Sequence, residues 1–570
     1  MNLPAHLDLI AAAPDGIRKL RGLILELAVR GKLVPQNPND EPASELLKRI
    51  ARERARLEAE GICKKSKATP VVCEDEQPFG LPNGWEWVRL THFGEFRGGK
   101  TPSTNRSEYW DGAIPWVSPK DMKSLVVAKT EDCVSDLAVA GGLSLIPAHS
   151  VLVVVRSGIL RRTVPVAIND TQCTVNQDLK ALCLTLPGMA QYVQLLVRGF
   201  ERLILDTLTK VGTTVESIKF GEFSKQPFPL PPLAEQHRIV AKVDELMALC
   251  DRLEAEQTDA DAAHARLVDT LLGTLTHSAD AAELAANWQR LAEHFDTLFT
   301  SESSLDALKQ TVLQLAVMGK LVSQVPDDEP ASELLKRIAQ ERARLEADGT
   351  RSKSKPMPPV GADEKPFEIP EGWTLVRLGV LLSKIGAGST PLGGKQVYVN
   401  EGIKFLRSQN VWNEGLRLSD VALIPAAVHQ KMSGTHVEAG DLLFNITGAS
   451  IGRCAVVPDS FDTGNVSQHV TIIRSLSKDI LPFLHVVLIS ELVQRTVMDV
   501  QVGVSREGLS IGKLALFVIP LPPLPEQHRI VAKVDELLAL VDRLKADLAG
   551  SGAKQERLAA ALIESALQAA

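Results

Sequence analysis

The segment Gly94–Thr101, with the sequence GEFRGGKT, fits the phosphate-binding pattern G-x-x-x-x-G-K-[ST]. In a nucleotide-binding protein a buried strand leads into this loop, and a helix begins directly after it so that its first N–H groups hold the phosphates. Here Pro102 and a turn-rich stretch follow instead. We therefore predict a Gly-rich surface turn, in which Lys100, Thr101 and Ser103 could contact a phosphate of a larger ligand. A P-loop NTPase with its site at 94–101 is kept as an alternative.

The rest of the sequence offers no recognisable catalytic or metal-binding pattern. His237 and His528 lie in identical EQHR tetrapeptides, but neither has a second ligand or a nucleophile beside it in the sequence. The seven cysteines are scattered and none forms a C-x-x-C pair, so the sequence supports neither a zinc site nor a disulfide framework. We predict no catalytic residue, no metal site and no cofactor bound by this chain.

An internal duplication organises the elements that would position any site. The segment DEPASELLKRIARERARLEAEG at 40–61 recurs as DEPASELLKRIAQERARLEADG at 328–349. A later block, PPLAEQHRIVAKVDELMALCDRL from Pro231, recurs as PPLPEQHRIVAKVDELLALVDRL from Pro522. The intervening segments, about 91–230 and 379–521, agree only at scattered points. The chain therefore holds two unlike heads in near-identical frames. The near-identical frames suit binding of two copies of one partner, or pairing of the frames with each other around a pseudo-two-fold axis. The unlike heads suit two different targets.

Each later block predicts a long helix that begins near the proline pair. Its apolar residues step by 4, 3, 4 and 3 positions, which is the a/d seam of helix-on-helix packing. A single helix that faces a core would give the same two heptads, but two matching seams favour a coiled coil. Ala-rich sequence predicts that these helices continue through 254–300 and 552–570. The seam residues are Ile239, Val243, Leu246, Cys250, Leu253, Ile530, Val534, Leu537, Val541 and Leu544.

Composition indicates a folded chain of several domains. Of the 570 residues 45% are hydrophobic and 23% charged, and the longest apolar runs are too short to cross a bilayer. The N-terminus lacks the pattern of a signal peptide, so we expect a reducing cytoplasm. The net charge of −7 lies in the frames, because 78–232 holds 16 Lys and Arg against 14 Asp and Glu, and 366–523 holds 13 of each. Such a chain is not expected to coat nucleic acid unaided.

The fold class that follows is mixed α/β. We predict two globular α/β domains, separated and joined by long repeated helices that form an antiparallel coiled coil. Short β-rich runs broken by glycine fill the heads, and each head is expected to end in one longer helix, at 191–208 and 481–500. The predicted domains are an N-terminal helical frame and linker (1–77), head one (78–232), central spacer helices (233–300), a repeated frame and linker (301–365), head two (366–523) and a C-terminal spacer helix (524–570).

On these residues the chain resembles the specificity subunit of type I restriction–modification systems. Each head is opened by G-W-x-x-V-R-L and closed by P-L-P-P-L-x-E-Q-H-R-I-V-A-K-V-D-E-L, and in that family the closing block ends a target-recognition domain and leads into a spacer helix. The segments GGKTPS and YWDGAIPWVSPKDM are similar to the opening of such a domain. The resemblance covers essentially the whole chain, although the heads themselves match weakly.

The resemblance implies a non-catalytic chain that reads a bipartite, gapped DNA sequence. Each head would read one half-site, with the paired helices as the spacer between them. Two modification subunits would bring S-adenosylmethionine and methylate adenines, and two restriction subunits would bring ATP and Mg-dependent translocation and cleavage. A coiled-coil adaptor that holds two partners and ignores DNA is the second alternative.

Candidate base readers are the polar side chains in the Gly-broken loops of the heads. Because the heads are nearly neutral, we expect partner subunits to supply much of the phosphate contact. In head one the candidates are Lys120, Asp121, Arg156, Arg161, Arg162, Asn176 and Gln177, beside Lys100, Thr101 and Ser103. In head two they are Arg407, Gln409, Asn410, Asn445, Arg453, Gln468 and His469.

Overall fold

The computed structural model describes residues 7–64, 69–210, 212, 215–349, 356–502 and 508–569. They form two compact units, Met1–Asp259 with Gly552–Ala570, and Ala260–Ser551. Each unit contains a helical frame and one head, so the predicted mixed α/β class is confirmed. The six domain boundaries are a finer division and stay a prediction.

The first unit begins with the frame helices α1 (Leu7–Ala11), α2 (Gly16–Val29) and α3 (Ala43–Ala59). Pro42 caps α3 in extended conformation, and Leu46 and Ile50 are buried one turn apart on the face that meets the head. The strands of head one are β1 (Glu86–Arg89), β2 (Gly94–Gly98), β3 (Ile114–Val117), β4 (Val126–Val127), β5 (Asp132–Val134), β6 (Val151–Val154), β7 (Arg156–Ser157), β8 (Val166–Asn169), β9 (Thr174–Val175), β10 (Leu179–Leu184), β11 (Thr209–Lys210), β12 (Glu216–Ile218) and β13 (Pro227–Leu230). Its helices are α4 (Leu90–Phe93), α5 (Asp136–Ala140), α6 (Ala190–Gly199), α7 (Glu201–Thr207) and α8 (Phe220–Phe223), and the long helix α9 (Leu233–His277) follows.

The second unit repeats this order. Its frame has α10 (Ala281–Glu293), α11 (Phe295–Leu298), α12 (Glu302–Val317) and α13 (Ala331–Ala347). The strands of head two are β14 (Thr374–Arg377), β15 (Leu382–Ala387), β16 (Ile403–Leu406), β17 (Val411–Trp412), β18 (Gly415–Leu416), β19 (Ala422–Ile424), β20 (His436–Val437), β21 (Leu442–Asn445), β22 (Cys454–Val456), β23 (Gly464–Val466), β24 (Val470–Ser475) and β25 (Val518–Leu521). Its helices are α14 (Ala426–Lys431), α15 (Leu481–Ile489), α16 (Glu491–Val502) and α17 (Ile511–Ala515), and the long helix α18 (Leu524–Ala569) follows.

The two heads share the core of their sheet topology although their sequences differ. The order β2-β10-β6-β8 in head one corresponds to β15-β24-β21-β22 in head two, and β5-β3-β9 corresponds to β19-β16-β23. The pairs β3–β9 and β16–β23 are both parallel, whereas the neighbours β3–β5 and β16–β19 are antiparallel. Two sequences of low similarity therefore fold to a common core. Outside it the heads differ in their strands: β4 and the sheet β11-β12-β7 belong to head one, and β20 and the pair β17-β18 belong to head two.

The opening and closing motifs of each head pair with each other. Strand β1 runs antiparallel to β13 in head one, and β14 runs antiparallel to β25 in head two, each over four residues. We call each strand pair, together with the first turn of the long helix that follows it, the neck of that head. Every head is therefore a loop of chain closed at its neck by the repeated residues, which explains why the repeats delimit it.

Both long helices contribute to both units, in opposite order. In the first unit the beginning of α9 and the end of α18 belong to one hydrophobic cluster, which includes Ile239 and Ile563. In the second unit the end of α9 and the beginning of α18 do so, with Leu272 and Ile530 among the members. The antiparallel order that the sequence predicted is thereby confirmed.

Three sequence predictions about helices are wrong. The helix expected over 191–208 is broken at Phe200, because Gly199 lies so close to α2 that a Cβ there would approach Cγ1 of Val29 to 2.5 Å, and the chain turns to bury the Phe200 ring. The helix expected over 481–500 is bent by 53° at Ser490. The helix expected to continue through 254–300 ends at His277. A new helix, α10, begins after Asp280, whose carboxylate accepts from N–H groups of its first turn.

No single helix among the described residues is both long and apolar enough to cross a membrane. The bent pair Leu481–Ile489 and Glu491–Asp499 passes the same length and composition test only when its two parts are taken together.

Candidate functional site

Head two carries an open cleft of 560 Å³ at the ends of its sheet strands. Three of the predicted base readers, Gln409, Arg453 and His469, line it from three different loops. The structure therefore brings together residues that lie 60 positions apart in the sequence. The remaining lining residues are Ser408, Trp412, Thr447, Gly448, Ala449 and Ser450.

An indole ring between two guanidinium groups forms one wall of this cleft. Arg417 lies 3.5 Å and Arg453 3.7 Å from the centroid of the Trp412 ring, and the Trp412 Nε1–H donates to the Gln409 carbonyl at 2.8 Å. Cation–π contact holds both arginines in place without neutralising them. Among the described residues neither guanidinium has a carboxylate within 4 Å. Arg453 therefore gives this wall a fixed positive charge, whereas Arg417 stacks on the same ring without lining the cleft.

Two polar groups complete the cleft. The buried Asn445 amide donates to the Ser408 carbonyl at 2.9 Å and to the Ser450 hydroxyl at 3.1 Å, and thereby joins two lining loops. His469 is exposed, and its Nδ1 lies 2.6 Å from Oγ1 of Thr447. The Asn445 side chain acts on the cleft through the loops that it holds.

The loop before the cleft is tied by a single acidic residue, Asp420. Arg407 donates to its carbonyl at 3.0 Å, the Gln409 amide donates to its carboxylate, and the Asn410 amide donates to the same carboxylate at 3.2 Å. Asn410 is completely buried and also donates to the Arg417 carbonyl at 2.9 Å. Asn410 is therefore placed to position the loop, whereas Gln409 beside it is exposed.

The predicted base readers of head one are less clustered. Lys120, Arg156 and Arg162 are exposed, and within the described chain none of them has a carboxylate within 4 Å. Arg161 is also exposed but forms an ion pair with the buried Glu216. Arg156 pairs across the strands with Ser217 of β12.

Two predicted readers of head one have their polar atoms occupied within the head. The Asp121 carboxylate accepts from the Ser118 N–H at 2.8 Å and from the Glu131 N–H at 2.9 Å. Asn176 is 5% exposed, and its side-chain oxygen accepts from the Asp178 N–H at 3.0 Å. Both side chains hold turns, as short polar side chains commonly do.

The first head does not form a nucleotide-binding loop. Strand β2 leads into Gly99 and Lys100, but the next regular element in the described chain is a single 3₁₀ turn at Ser107–Tyr109. Without a helix at this point, N–H groups are not aligned toward a phosphate in the way that the P-loop pattern requires. The exposed Lys100, Thr101 and Ser103 instead belong to a surface loop, in which the Ser103 carbonyl accepts from Trp110 Nε1 at 3.2 Å.

A basic cleft of 410 Å³ in head one was missed by sequence reasoning. It is lined by three lysines, Lys210, Lys219 and Lys225, which lie around strand β12 and helix α8, and by Glu222, which forms an ion pair with Lys219 at 3.7 Å. Trp412 and Arg417 of head two were missed as well. The signal for the latter pair was a Trp and an Arg on either side of a short hairpin, with Trp412 opposite Gly415 in the strand register.

Each neck contains a buried carboxylate at the start of its long helix. Glu235 is 1% exposed and accepts from Trp85 Nε1 at 2.9 Å and from the Gln36 amide at 2.8 Å. Glu526 accepts in the same way from Trp373 at 3.0 Å and from Gln324 at 3.1 Å. Burial raises the pKa of both carboxyl groups, and the hydrogen bonds oppose that shift.

The predicted helix seam lies in the hydrophobic clusters of the two units. Seven members are buried, namely Ile239, Val243, Leu246, Cys250, Ile530, Val534 and Val541. Leu253, Leu537 and Leu544 are half-buried and pack against the same clusters. In the first unit α2 lies against both long helices, since Arg21 donates to Glu254 at 2.9 Å and Lys19 donates to Glu556 at 2.8 Å. The seam of α9 therefore faces a bundle in which more than one helix takes part.

Comparison with known proteins identifies the family. Residues 82–260 and 370–549 each match the model of the type I restriction modification DNA specificity domain. The specificity subunit of the type I restriction enzyme EcoAI from Escherichia coli is 36% identical over 97% of this chain and 94% of its own length. The EcoEI specificity subunit from the same species gives the same identity and coverage. The crystal structure of the HsdS subunit from Thermoanaerobacter tengcongensis matches with 18% identity and a TM-score of 0.35 over 86% of this chain and 98% of that one. The protein described here is therefore a member of the family of type I restriction–modification specificity subunits.

Proposed function

We propose that this chain is the subunit that selects the DNA target of a type I restriction–modification complex, and that each head reads one half of a bipartite, gapped sequence. The observation that carries the proposal is that two heads with a common core topology, set in near-identical frames, expose different polar side chains on their loops. A common scaffold with different surfaces is what two different half-sites require. In this proposal the cleft of Trp412, Arg453 and His469 is the reading surface of head two.

In head one the reading surface is assigned to the exposed arginines around β7 and to the basic cleft beside it. Arg156 and Arg162 have no carboxylate within 4 Å in the described chain, and Lys210 and Lys225 line the neighbouring cleft, in which Lys219 is paired with Glu222. Arginine is the side chain that most often reads guanine in the major groove, and lysine suits phosphate. The buried side chains of Asn176, Asn410 and Asn445 do not contact DNA in this proposal and instead hold the reading loops through hydrogen bonds to their backbone.

The frames are proposed to dock two methyltransferase subunits, one on each copy. Helices α3 and α13 are almost identical even at exposed positions, for example at Lys48 and Lys336, whose side chains are 61% and 67% exposed. Exposed residues are under little constraint from the fold, so their identity suits two copies of one partner. Two restriction subunits would join the same complex. S-adenosylmethionine, ATP and Mg would be held by those partners in the cytoplasm, and the chain itself would catalyse no reaction.

The test exchanges one head and leaves both frames in place. Residues 91–230 are replaced by the corresponding segment of a related specificity subunit, with both exchange points placed at the neck. We expect the complex to assemble as before and to methylate a target in which one half-site is new and the other is unchanged. Methylated adenines are mapped by sequencing the DNA of the host. A methylated sequence identical to that of the parent would favour an adaptor that ignores DNA.

A further inference from the structure

Both heads carry the same exposed hydrogen bond at the same place in their fold. In head one the Thr101 hydroxyl donates to the Gln177 Oε1 at 2.6 Å, and in head two the Thr390 hydroxyl donates to the Gln468 Oε1 at 2.6 Å. All four residues are exposed. The partners lie 76 and 78 positions apart, so the same pair is made by the folding of two dissimilar sequences.

The backbone around this pair is also the same in the two heads. The N–H that precedes the threonine donates to the carbonyl of the parallel strand, from Lys100 to Val175 and from Ser389 to Val466, at 3.1 Å in both cases. The N–H that precedes the glutamine donates to the central strand of the same sheet, at 2.9 Å in both heads. The crossing of the two loops is therefore fixed by the main chain.

A glycine makes this crossing possible in each head. A Cβ on Gly99 would lie 1.7 Å from the Val175 carbonyl oxygen, and a Cβ on Gly388 would lie 2.0 Å from that of Val466. Only glycine permits so close an approach of two backbones. Both heads therefore keep a backbone contact that only glycine allows, and this contact places one threonine beside one glutamine.

Stability alone does not account for this duplicated pair. A hydrogen bond between two exposed side chains contributes little to folding because water competes for both groups. Its effect is on orientation: the threonine hydroxyl occupies the Gln oxygen and fixes the plane of the amide. In the described chain neither amide Nε2 has another partner, so two N–H donors of each glutamine remain available to a ligand.

We propose that Gln177 and Gln468 are equivalent phosphate contacts, each of which donates its amide N–H groups to one phosphodiester of the DNA half-site bound by its head. This inference rests on the proposed function. The two half-sites differ in bases, so a contact that is identical in both heads must recognise what the half-sites share, which is the sugar–phosphate backbone. A phosphate oxygen accepts and never donates, which matches an amide whose oxygen is already occupied.

The assignment divides each head into two parts. The Thr–Gln pair sets the position and register of the head on the duplex without reading sequence, and the unlike loops read the bases. Lys100 adds a charged phosphate contact in head one only, because the equivalent position of head two is Ser389.

The experiment measures DNA binding by the complete complex with its methyltransferase subunits. Specific binding by the wild-type complex tests the proposed function, and the variants are compared with that value. Gln177→Met and Gln468→Met remove the donors at nearly constant size. We expect each to weaken binding about fivefold and the double variant about 25-fold. The loss should be the same on the full target and on a duplex with one half-site scrambled, and the methylated sequence should stay unchanged. Gln191→Met, on an exposed position of helix α6, is the matched control and should have no effect.

Three further results separate the possible roles of the pair. The neutral amide should leave the dependence of affinity on salt unchanged, whereas Lys100→Ala should reduce the slope of log K against log salt by about one. A methylphosphonate placed at each phosphate of the duplex in turn should weaken the wild type at one position of each half-site and have no further effect there on the matching Met variant. Unchanged affinity of the Met variants, or a changed methylated sequence, would overturn the proposal. A loss of binding matched by a fall in the unfolding temperature would show a structural role and would overturn it as well.

Discussion

At the scale of single residues, the informative side chains are those held in place but left without a neutralising partner. Arg417 and Arg453 lie on the two faces of the Trp412 ring, at 3.5 Å and 3.7 Å from its centroid. Stacking restricts both guanidinium groups before any ligand arrives, so little rotamer entropy remains to be lost on binding. The arrangement suits DNA contact better than a flexible arginine would.

We expect Trp412→Ala to release both arginines and to weaken methylation of the half-site read by head two. Loss of the stack should cost about 1–2 kcal/mol, or roughly 5- to 30-fold in affinity, because each exposed cation–π contact contributes about 0.5–1 kcal/mol. Methylation assays on duplexes with single base changes in either half-site measure the effect. Selectivity at the half-site of head one should stay as in the wild type.

Arg453→Lys tests whether the planar guanidinium itself is required. Lysine keeps the charge but cannot stack on Trp412 or bind a base edge in bidentate fashion. We expect reduced discrimination at one base pair, worth about 1–3 kcal/mol, with a smaller loss of affinity for unrelated DNA. Head one has no equivalent stack, because its Trp116 is buried in the core. An equal loss of discrimination at both half-sites would therefore contradict the assignment of Arg453 to the half-site of head two.

At the scale of elements, the neck joins head, frame and long helix through a few buried polar contacts. Glu235 on the first turn of α9 accepts from Trp85 just before β1 and from Gln36 of the frame. Arg238 donates to Asp40 of the frame at 2.6 Å, and Arg529 donates to Asp328 in the second copy at 2.7 Å. These contacts fix the angle at which each head leaves its helix.

Trp85→Phe should therefore destabilise the first unit by about 1–3 kcal/mol, because the buried Glu235 loses one of its two donors. The matched control is Trp87→Phe. The Nε1 of Trp87 is buried without a partner in the described chain, so its removal costs only packing and should be milder. Thermal unfolding measured by calorimetry gives the comparison. Equal destabilisation by the two variants would show that the hydrogen bond to Glu235 contributes nothing.

At the scale of the whole molecule, the repeat gives one chain two equivalent docking surfaces and two inequivalent reading surfaces. Both long helices contribute to both compact units, the beginning of one with the end of the other. The first unit is therefore incomplete without the end of the chain, whereas the second unit is one continuous stretch, Ala260–Ser551. A truncation after head one would remove the end of α18 from the cluster of the first unit.

Two single charge reversals test the equivalence of the frames. Arg49 on α3 and Arg337 on α13 are partly exposed and pair with Glu41 at 3.4 Å and Glu329 at 2.6 Å. We expect Arg49→Glu and Arg337→Glu each to leave one methyltransferase subunit on the chain, and the double variant to leave none. Native mass spectrometry counts the subunits. The exposed Lys123→Glu in head one is the control and should retain both, and retention of both by the double variant would place the docking surface elsewhere.

The sequence by itself determined the repeat, the fold class and the order of the long helices. These properties rest on local patterns: identical segments fold alike, heptad spacing buries one face of a helix, and the repeated motifs that bound a head are the strands of its neck. The exposed side of the chain was not determined in this way. Gln409 and Asn410 are neighbours of similar type, yet one lines the cleft and the other is completely buried.

Only the tertiary structure decided which polar residues meet. The Thr101–Gln177 and Thr390–Gln468 pairs, the two arginines on Trp412 and the carboxylate shared by Trp85 and Gln36 join loops that are far apart in the sequence or that turn back on themselves. Such contacts depend on the path of the chain through a twisted sheet and on backbone approaches that glycine allows. No local periodicity encodes them, whether they occur in both heads, as the Thr–Gln pairs do, or in head two alone, as the stack of two arginines on Trp412 does.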